Sequence, residues 1–300
     1  MASFAVAVRC GAKAWGEGLT ILVFGKTGQV AQELAQHVGI TCLSRTDADL
    51  TDPTACAAII MESDATAVIN AAAYTAVDKA EDEPDLAYII NAAAPTAMAQ
   101  ACTAKNLPFL HISTDYVFDG SGDAPWKPAD PTGPLGVYGA SKLGGEEGVR
   151  AAGGIYAILR TSWVFSAQGN NFVKTMLRLG AERDAVSIVA DQIGGPTAAK
   201  SIADAALSLV KVLTKDGSRT GTYHFAGTPN VSWADFAREI FSQAGLTCNV
   251  SDIPTSAYPT PAMRPANSRL DCTDIETIFG VAPSDWRAEL ARILTTLKAT

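Results

Sequence analysis

The sequence predicts an α/β fold, a doubly wound parallel (Rossmann) sheet with a smaller, discontinuous C-terminal domain. Three observations support this prediction. Short apolar runs rich in β-branched residues alternate with helical patterns. A glycine turn directly follows the first of these runs. The chain is 48% apolar and 18% charged, so it can bury the core that such a sheet requires.

The composition also argues against several classes of function. The net charge is −8 and the basic residues are scattered, so we expect no nucleic-acid partner. No apolar run approaches the roughly 18 residues of a membrane helix, so we expect no membrane partner. The six cysteines form no CxxC pair and the three histidines lack zinc spacing. Free thiols in a well-cored chain predict a cytoplasmic protein.

The first predicted strand opens a dinucleotide-binding turn. Residues 1–18 fit no periodic pattern, and we treat them as an extension before the fold. Residues 19–24 predict a buried parallel strand, followed at once by a glycine turn and a helix. Gly25 permits the tight turn, and Gly28 lets the backbone approach a pyrophosphate. The cofactor-binding residues predicted here are Gly25, Thr27, Gly28, Gln29 and Val30.

The second predicted strand, residues 40–43, bears on the choice of cofactor. An acid at its end would bind a ribose 2′-hydroxyl, whereas an arginine suits a 2′-phosphate. Arg45 stands there and indicates NADPH, with a solvated surface arginine as an equal alternative. Asp47 and Asp49 lie nearby and could bind the ribose of NADH instead. Asp52 precedes a proline and is predicted to cap a helix, where it could also contact adenine.

The third predicted strand, residues 67–70, runs into very small side chains. Small residues at the carboxyl end of a strand leave room for a flat ligand. The cofactor-binding residues predicted here are Ala71, Ala72, Ala73 and Tyr74.

Residues 108–112 predict a central strand, with Thr114 and Asp115 at its carboxyl end. Sheets of this kind place their functional residues at that end of the strands. Simple turn formation is the alternative for these polar residues. His111 lies inside the strand, and we interpret it as a packed core histidine.

Tyr138 and Lys142 are four residues apart, so a helix places both side chains on one face. A lysine ammonium beside a phenol favours the phenolate and eases proton loss. Tyr138 is therefore a candidate general acid that protonates a carbonyl oxygen as hydride reaches the carbon. The pattern also arises by chance on exposed helices, so its weight depends on the accompanying motifs.

The predicted domain organisation is discontinuous. The dinucleotide-binding domain comprises residues 19–165 and about 197–225, with strands at 156–160 and 223–225. The second domain comprises about 166–196 and 226–300. Residues 250–268 are rich in proline and predicted to be mostly loop.

Eight motifs follow one another from about residue 19 to the end: Gly25-x-x-Gly28, Asn70-Ala-Ala-Ala-Tyr74, Ser113-Thr-Asp-Tyr116, Tyr138-x-x-x-Lys142, Arg160-Thr-Ser-Trp163, Gly169-Asn-Asn-Phe172, Asp191-Gln-Ile-Gly-Gly-Pro-Thr197 and Arg264-Pro-Ala-Asn-Ser-Arg-Leu-Asp271. Together they resemble the extended short-chain dehydrogenase/reductase superfamily and, within it, the dTDP-4-dehydrorhamnose reductase family. The resemblance implies NAD(P)H-dependent reduction of dTDP-4-dehydro-β-L-rhamnose to dTDP-β-L-rhamnose, the last step in making the activated sugar.

The resemblance also implies site residues. Thr114, Tyr138 and Lys142 match the family's catalytic triad: Tyr138 donates the proton, Lys142 holds the nicotinamide ribose and Thr114 hydrogen-bonds the forming alkoxide. The implied substrate-binding residues are Asp115, Tyr116, Trp163, Asn171, Arg264 and Asn267. Core packing is the alternative for Trp163, and a solvated loop position is the alternative for Arg264.

One family feature does not carry over in full. Family members can hold Mg²⁺ through carboxylates at a subunit contact, and Glu33 matches one such position. Residues 290–300 contain no acid, so we expect no complete metal site, and a solvated Glu33 is the better interpretation. Dimerisation through that site loses its support, which leaves a monomer or a homodimer.

Three rival functions stay open at this point. A nucleotide-sugar dehydratase would show Asp-Glu where this chain has Asp115-Tyr116, so its base is missing. An epimerase must release and re-add hydride on either face, and the sequence argues against it only weakly. The regulatory subunit of methionine adenosyltransferase resembles the same family and is a binding partner, and such a descendant can retain all three catalytic residues.

Overall fold

Helices and strands alternate through the first half of the chain. The computed structural model describes residues 19–298. The strands up to residue 165 are β1 (Ile21–Phe24), β2 (Ile40–Leu43), β3 (Ala67–Asn70), β4 (Phe109–Thr114), β5 (Tyr156–Thr161) and β6 (Val164–Phe165). The helices of this half are α1 (Gln29–Leu34), α2 (Pro53–Glu62), α3 (Val77–Ala80), α4 (Pro84–Tyr88), α5 (Ala94–Ala104) and α6 (Val137–Ala152).

The second half is less regular. Its strands are β7 (Ala185–Val189), β8 (Ile193–Gly194), β9 (Thr197–Ala198), β10 (Gly221–His224), β11 (Val231–Ser232), β12 (Asn249–Ile253) and β13 (Asn267–Ser268). Its helices are α7 (Phe172–Glu182), α8 (Ala199–Leu213), α9 (Trp233–Ala244), α10 (Thr273–Phe279) and α11 (Trp286–Lys298). None of the helices in residues 19–298 is long and apolar enough to cross a membrane.

The large sheet confirms the predicted fold class. Its six strands run parallel in the order β10–β5–β4–β3–β1–β2. The strand order reverses between β1 and β3, and a crevice opens beyond the carboxyl ends of strands at such a reversal. Gly25 follows β1 and Ala71 follows β3. The two predicted cofactor-binding runs are therefore neighbours.

Two apolar cores cover the two faces of this sheet. Ile21 and Val23 belong to one core, which includes the apolar face of α8. Leu22 and Phe24 belong to the other core, with residues of α2 and α5. Alternate residues of a strand point to opposite faces, so β1 is buried on both sides as its unbroken apolar sequence predicts.

A third core lies in the second half of the chain. It joins residues of α7, α9 and α11, among them Met176, Phe236, Trp286 and Leu290. In sequence, these helices lie before and after the segment that adds α8 and β10 to the large sheet. The discontinuous second domain stays a prediction.

Tertiary contacts add to two of the predictions. Leu270, Cys272 and Ile275 join the core under the large sheet, although the sequence prediction assigned them to the second domain. Residues 250–268 were predicted to be mostly loop; the first of them belong to β12, which pairs in parallel with β7 over five residues. The backbone partners come from a distant segment, which the local proline content does not reveal.

Candidate functional site

Two adjoining cavities open beyond the carboxyl ends of the sheet. The Tyr138 cavity, named for a residue in its wall, has a volume of about 530 Å³. The Arg45 cavity, named in the same way, has a volume of about 360 Å³. The walls shared by both are formed by Thr27, Gly28, Ala71, Ala72, Ala73 and Thr75. The two cavities are therefore parts of one cleft along the strand-order reversal.

Most of the predicted site residues meet in this cleft. Those in the wall of the Tyr138 cavity are Thr27, Gly28, Gln29, Val30, Ala71, Ala72, Ala73, Thr114, Asp115, Tyr116, Tyr138, Lys142 and Trp163. Gly25 and Arg45 lie in the wall of the Arg45 cavity. Five chain segments thus converge at this cleft: 25–30, 71–73, 112–116, 138–142 and 161–164.

Helix α6 presents Tyr138 and Lys142 from its first turns. Its first backbone N–H, on Val137, donates to Glu81 Oε1 at 2.9 Å, so a distant carboxylate caps the helix. A Cβ on Gly139 would lie only 2.2 Å from the Tyr116 carbonyl oxygen. The missing side chain lets the helix approach the residues after β4, which brings Tyr138 next to Thr114.

The side chain of Tyr138 is half-buried in the wall of the cleft. Its ring packs edge-on against Tyr116, with ring centroids 5.4 Å apart. Burial raises the pKa of Tyr138 to about 12, which hydrogen bonding with Thr114 opposes and the Asp115 charge reinforces. The sequence predicted that Lys142 would lower this pKa; in this state burial dominates.

Lys142 is buried and turned towards β4. Its Nζ donates to the Ile112 carbonyl oxygen at 2.7 Å and lies 3.2 Å from His111 Nε2. Burial lowers the pKa of Lys142 to about 8, against the influence of Glu146. His111 is also completely buried, as predicted, but it is a member of a polar chain rather than a passive core residue.

Asp115 lies at the end of β4 beside Thr114. The Thr114 hydroxyl donates to Asp115 Oδ1 at 3.1 Å, and the Tyr116 N–H donates to Thr114 Oγ1. Oδ2 of Asp115 has no hydrogen-bond partner of normal geometry within residues 19–298. Burial raises the pKa of Asp115 to about 6, although Ser268 and Thr114 oppose it. This carboxyl group therefore changes charge near neutral pH.

The Arg45 cavity suits the adenosine half of a dinucleotide. Gly25 has a φ of +113°, and a Cβ there would lie 3.3 Å from the backbone of Ala71 and Ala72. Only glycine permits this conformation without strain, so the turn can form a wall of the cleft. Arg45 is 77% exposed and 3.6 Å from Asp49, so its guanidinium is accessible to a phosphate.

Sequence reasoning missed three kinds of site residue. Lys26 adds a second cation to the Arg45 cavity. Its position inside the glycine turn was the sequence feature that could have identified it. Ser113 and Thr161 contribute polar side chains next to Tyr138. Asn91 lies in a π-helical segment, Ile89–Ala93, and bonds both the Tyr74 backbone and Ser141 of α6. Such segments cluster at functional sites, but their sequence carries no distinct mark.

Several predicted residues are placed elsewhere. The Tyr74 hydroxyl donates to Glu83, so its ring does not line the cleft. The side chain of Asp52 accepts the Ala55 N–H and caps α2. Asn171 caps α7 and donates to Gln29. None of these three side chains belongs to the wall of either cavity.

Two predicted residues of the second domain are also used structurally. Asn267 is buried and donates to the carbonyl oxygens of Ser121 and Ala124. Arg264 lies 2.8 Å from Asp78, outside the wall of either cavity. Both position loops at the border of the cleft.

Trp163 combines packing with a place in the cleft. Its backbone has a φ of +48°, a conformation that is rare for a bulky residue. The ring stacks on Trp233 with centroids 3.6 Å apart, and it lines the Tyr138 cavity. Backbone strain of this kind is typical of ligand sites.

Glu33, which we interpreted as a solvated helix residue, is half-buried. Burial raises the pKa of Glu33, and Lys200 opposes that shift. Residues 19–298 contain no group of three His, Cys, Asp or Glu side chains close enough to hold a metal ion.

Comparison with known proteins agrees with this geometry. Residues 19–299 match the family model described as the RmlD substrate binding domain. The dTDP-4-dehydrorhamnose reductase of Sinorhizobium fredii is 41% identical over 289 residues, which cover 93% of this chain and 98% of that protein.

Two crystal structures are similar over nearly their whole length. The dTDP-4-dehydrorhamnose reductase of Clostridium acetobutylicum has a TM-score of 0.87 and 36% identity, covering 93% of this chain and 100% of that one. That of Bacillus anthracis, in complex with NADP, has a TM-score of 0.84 and 34% identity, covering 93% and 99%.

Proposed function

The chain belongs to the dTDP-4-dehydrorhamnose reductase family, and we propose that it reduces the C4 ketone of dTDP-4-dehydro-β-L-rhamnose to dTDP-β-L-rhamnose with NADPH. The observation that carries the proposal is the convergence of Thr114, Tyr138 and Lys142 in one wall of the cleft. A binding protein needs no tyrosine hydroxyl and buried lysine in one cavity wall, whereas a ketone reductase needs a proton donor positioned at the carbonyl oxygen.

NADPH, when bound, supplies the hydride that reaches C4 of the sugar. Gly25, Thr27, Gly28 and the alanines after β3 form a wall without bulky side chains that suits its pyrophosphate and nicotinamide. Arg45 and Lys26 provide positive charge for the 2′-phosphate. The residues present therefore fit the cofactor along the whole cleft.

Tyr138 gives its proton to the oxygen that becomes the C4 hydroxyl. A high pKa keeps the phenol protonated at neutral pH until negative charge develops on that oxygen. Thr114 then stabilises the same oxygen by a hydrogen bond, which replaces the bond to Asp115. Lys142 holds the ribose and favours the phenolate left on Tyr138.

The proposed substrate site draws on both domains. Trp163, Tyr116 and Asp115 face the Tyr138 cavity and are proposed to contact the sugar. Arg264 and Asn267 are proposed to act through the loops they hold. We propose a cytoplasmic enzyme that acts as a monomer or a homodimer, which light scattering of the purified protein would distinguish.

A coupled assay tests the function directly. Purified protein, NADPH and enzymatically prepared dTDP-4-dehydrorhamnose are mixed, the absorbance of NADPH is followed, and the product is identified by mass spectrometry and NMR. We expect oxidation of NADPH with formation of dTDP-rhamnose. Folded protein that binds NADPH but oxidises none of it with this substrate would overturn the proposal.

A further inference from the structure

A buried hydrogen-bonded column stands behind Lys142. It runs from the Ala72 N–H through the side chains of Asn70 and His111 to Lys142 Nζ. Asn70, His111 and Lys142 are each at most 2% exposed. We propose that Asn70 and His111 are positioning residues that fix Lys142 and make its ammonium group a stronger acid, so that Lys142 gives up and regains a proton during turnover. This role rests on the proposed reductase activity.

The hydrogen-bond partners determine which atom donates and which accepts at each step of the column. Asn70 Oδ1 accepts the Ala72 N–H at 3.2 Å, so the amide nitrogen of Asn70 faces His111 Nδ1 at 3.1 Å. An amide nitrogen only donates, so Nδ1 must accept. The single proton of a neutral imidazole then lies on Nε2, which faces Lys142 Nζ at 3.2 Å.

A proton on Nε2 determines which form of Lys142 fits. An ammonium group has three donors and no acceptor, so it would oppose the Nε2–H donor. An amine accepts from Nε2–H and still donates to the Ile112 carbonyl oxygen. The doubly protonated imidazolium is disfavoured, because burial and then the neighbouring Lys142 hold the pKa of His111 well below its usual range.

The other influences on the pKa of Lys142 oppose one another. Burial lowers the pKa of Lys142 and the Glu146 carboxylate raises it. Glu146 is itself neutralised, since Arg160 and Arg150 bond it at 2.6 and 2.5 Å and Ser113 donates to it. Tyr138 and Asp115 line the Tyr138 cavity together with Lys142. Glu81 bonds the helix end at Val137.

A lysine balanced in this way can restore the proton that Tyr138 loses. After the phenol has protonated the sugar oxygen, the Lys142 ammonium transfers one proton to the phenolate and becomes the amine. The amine accepts the Nε2–H bond of His111 until it takes a proton from water. An acceptor behind Lys142 would instead hold the ammonium and slow this exchange.

Asn70→Asp reverses the column with almost no change in shape. One carboxylate oxygen still accepts the Ala72 N–H, and the other accepts from His111 Nδ1, which forces a bare Nε2 that accepts from the ammonium. We expect the alkaline limb of kcat to move up by about 1 pH unit or more. His224→Gln is the matched control for histidine assignment, because His224 lies on β10 away from both cavities.

Nitrogen-15 NMR of the ligand-free protein reads the tautomer without any assay of activity. We expect His111 to carry its proton on Nε2 from pH 5 to 8 without titrating, and to change to Nδ1–H in Asn70→Asp. An Nδ1–H tautomer or an imidazolium in the wild type would overturn the proposal, as would an unmoved alkaline limb in a folded, active Asn70→Asp protein. The predicted tautomers in a protein without reductase activity would leave the column standing and refute the proposed function instead.

Discussion

At the scale of single residues, burial is the main influence on the chemistry of the cleft. It raises the pKa of Tyr138 to about 12 and that of Asp115 to about 6, and it lowers that of Lys142 to about 8. All three shifts favour the uncharged form, since a dry site disfavours charge. The proton donor, its neighbour and the lysine are therefore all poised to change charge when substrate and cofactor arrive.

Tyr138→Phe should remove the proton donor and leave the rest of the cleft in place. We expect kcat to fall by roughly 10²-fold or more, with NADPH affinity near normal, because general acid catalysis contributes about this factor. Steady-state kinetics and a fluorescence titration of NADPH would measure both. Tyr88→Phe, at a half-exposed tyrosine outside both cavities, is the control. Activity within a few-fold of wild type would remove Tyr138 from its role.

Asp115→Asn should stabilise the fold at neutral and alkaline pH. The folded pKa of about 6 exceeds the ordinary value of 3.8, so ionisation above pH 6 costs stability that the amide avoids. The gain is on the order of 1–3 kcal/mol above pH 6, and it disappears as pH falls from 6 to 4, where the unfolded carboxyl is protonated too. Urea unfolding at pH 8, 6 and 4 would measure it. Equal stability at pH 8 would contradict a buried carboxylate.

At the scale of elements, α6 depends on close contact with its neighbours. Glycines on its buried side let it approach the π-helical segment, where a Cβ on Gly145 would lie 2.1 Å from the Asn91 carbonyl oxygen. The contact fixes the helix from which Tyr138 and Lys142 project. Because the obstacle is backbone, it cannot move aside.

Gly145→Ala should therefore destabilise the protein although alanine favours helices. We expect a loss of about 1–3 kcal/mol in the free energy of unfolding from the clash. Gly144→Ala is the matched control, because it gains the same helix propensity and its Cβ would meet only side chains, the nearest being the Ala92 methyl at 3.2 Å. That variant should stay within about 1 kcal/mol of wild type. Equal stabilities of the two in thermal unfolding would contradict the proposed contact.

The end of β2 should control cofactor preference. Arg45→Ala is expected to weaken NADPH binding about tenfold and NADH binding hardly at all, because a charge-assisted bond to the 2′-phosphate is lost. Calorimetric titrations of both cofactors would measure the difference. Arg183→Ala, at an exposed arginine just after α7, is the control. Equal weakening of both cofactors would refute the assignment of the 2′-phosphate to Arg45.

At the scale of the whole molecule, a loop of the second domain reaches α3 beside the cleft. Arg264 bonds Asp78 at 2.8 Å, and the Ala262 N–H donates to the same carboxylate. The loop and the residues after β3 are thus tied together across 186 positions of sequence. We expect a substrate that lies between the domains to depend on this tie.

Arg264→Ala and Asp78→Ala should each raise KM for the nucleotide sugar about fivefold, with little change in kcat. A half-exposed ion pair contributes about 1 kcal/mol, and the double variant should be no worse because both changes release one loop. Arg238→Ala breaks the ion pair with Asp235 elsewhere in the second domain and is the control. If only Arg264→Ala raised KM, Arg264 would contact the substrate itself.

The sequence alone predicted the sheet, the cofactor and the placement of Tyr138 and Lys142 on one helix. These depend on local patterns: apolar runs such as 21–24, the glycine turn at Gly25 and the four-residue spacing of Tyr138 and Lys142. Helix and strand geometry convert such patterns directly into shared faces and adjacent strand ends. The predictions for residues 1–18 lie outside the described part of the chain.

Only the tertiary structure decided how the polar side chains divide their bonds. His111 bonds Lys142, Arg264 bonds Asp78, and Asn267 bonds a loop more than 140 residues away. Each bond joins segments that are distant in sequence, so no local pattern encodes it. Burial also reversed the expected pKa of Tyr138, because desolvation depends on everything packed around a group and not on the residue four positions away.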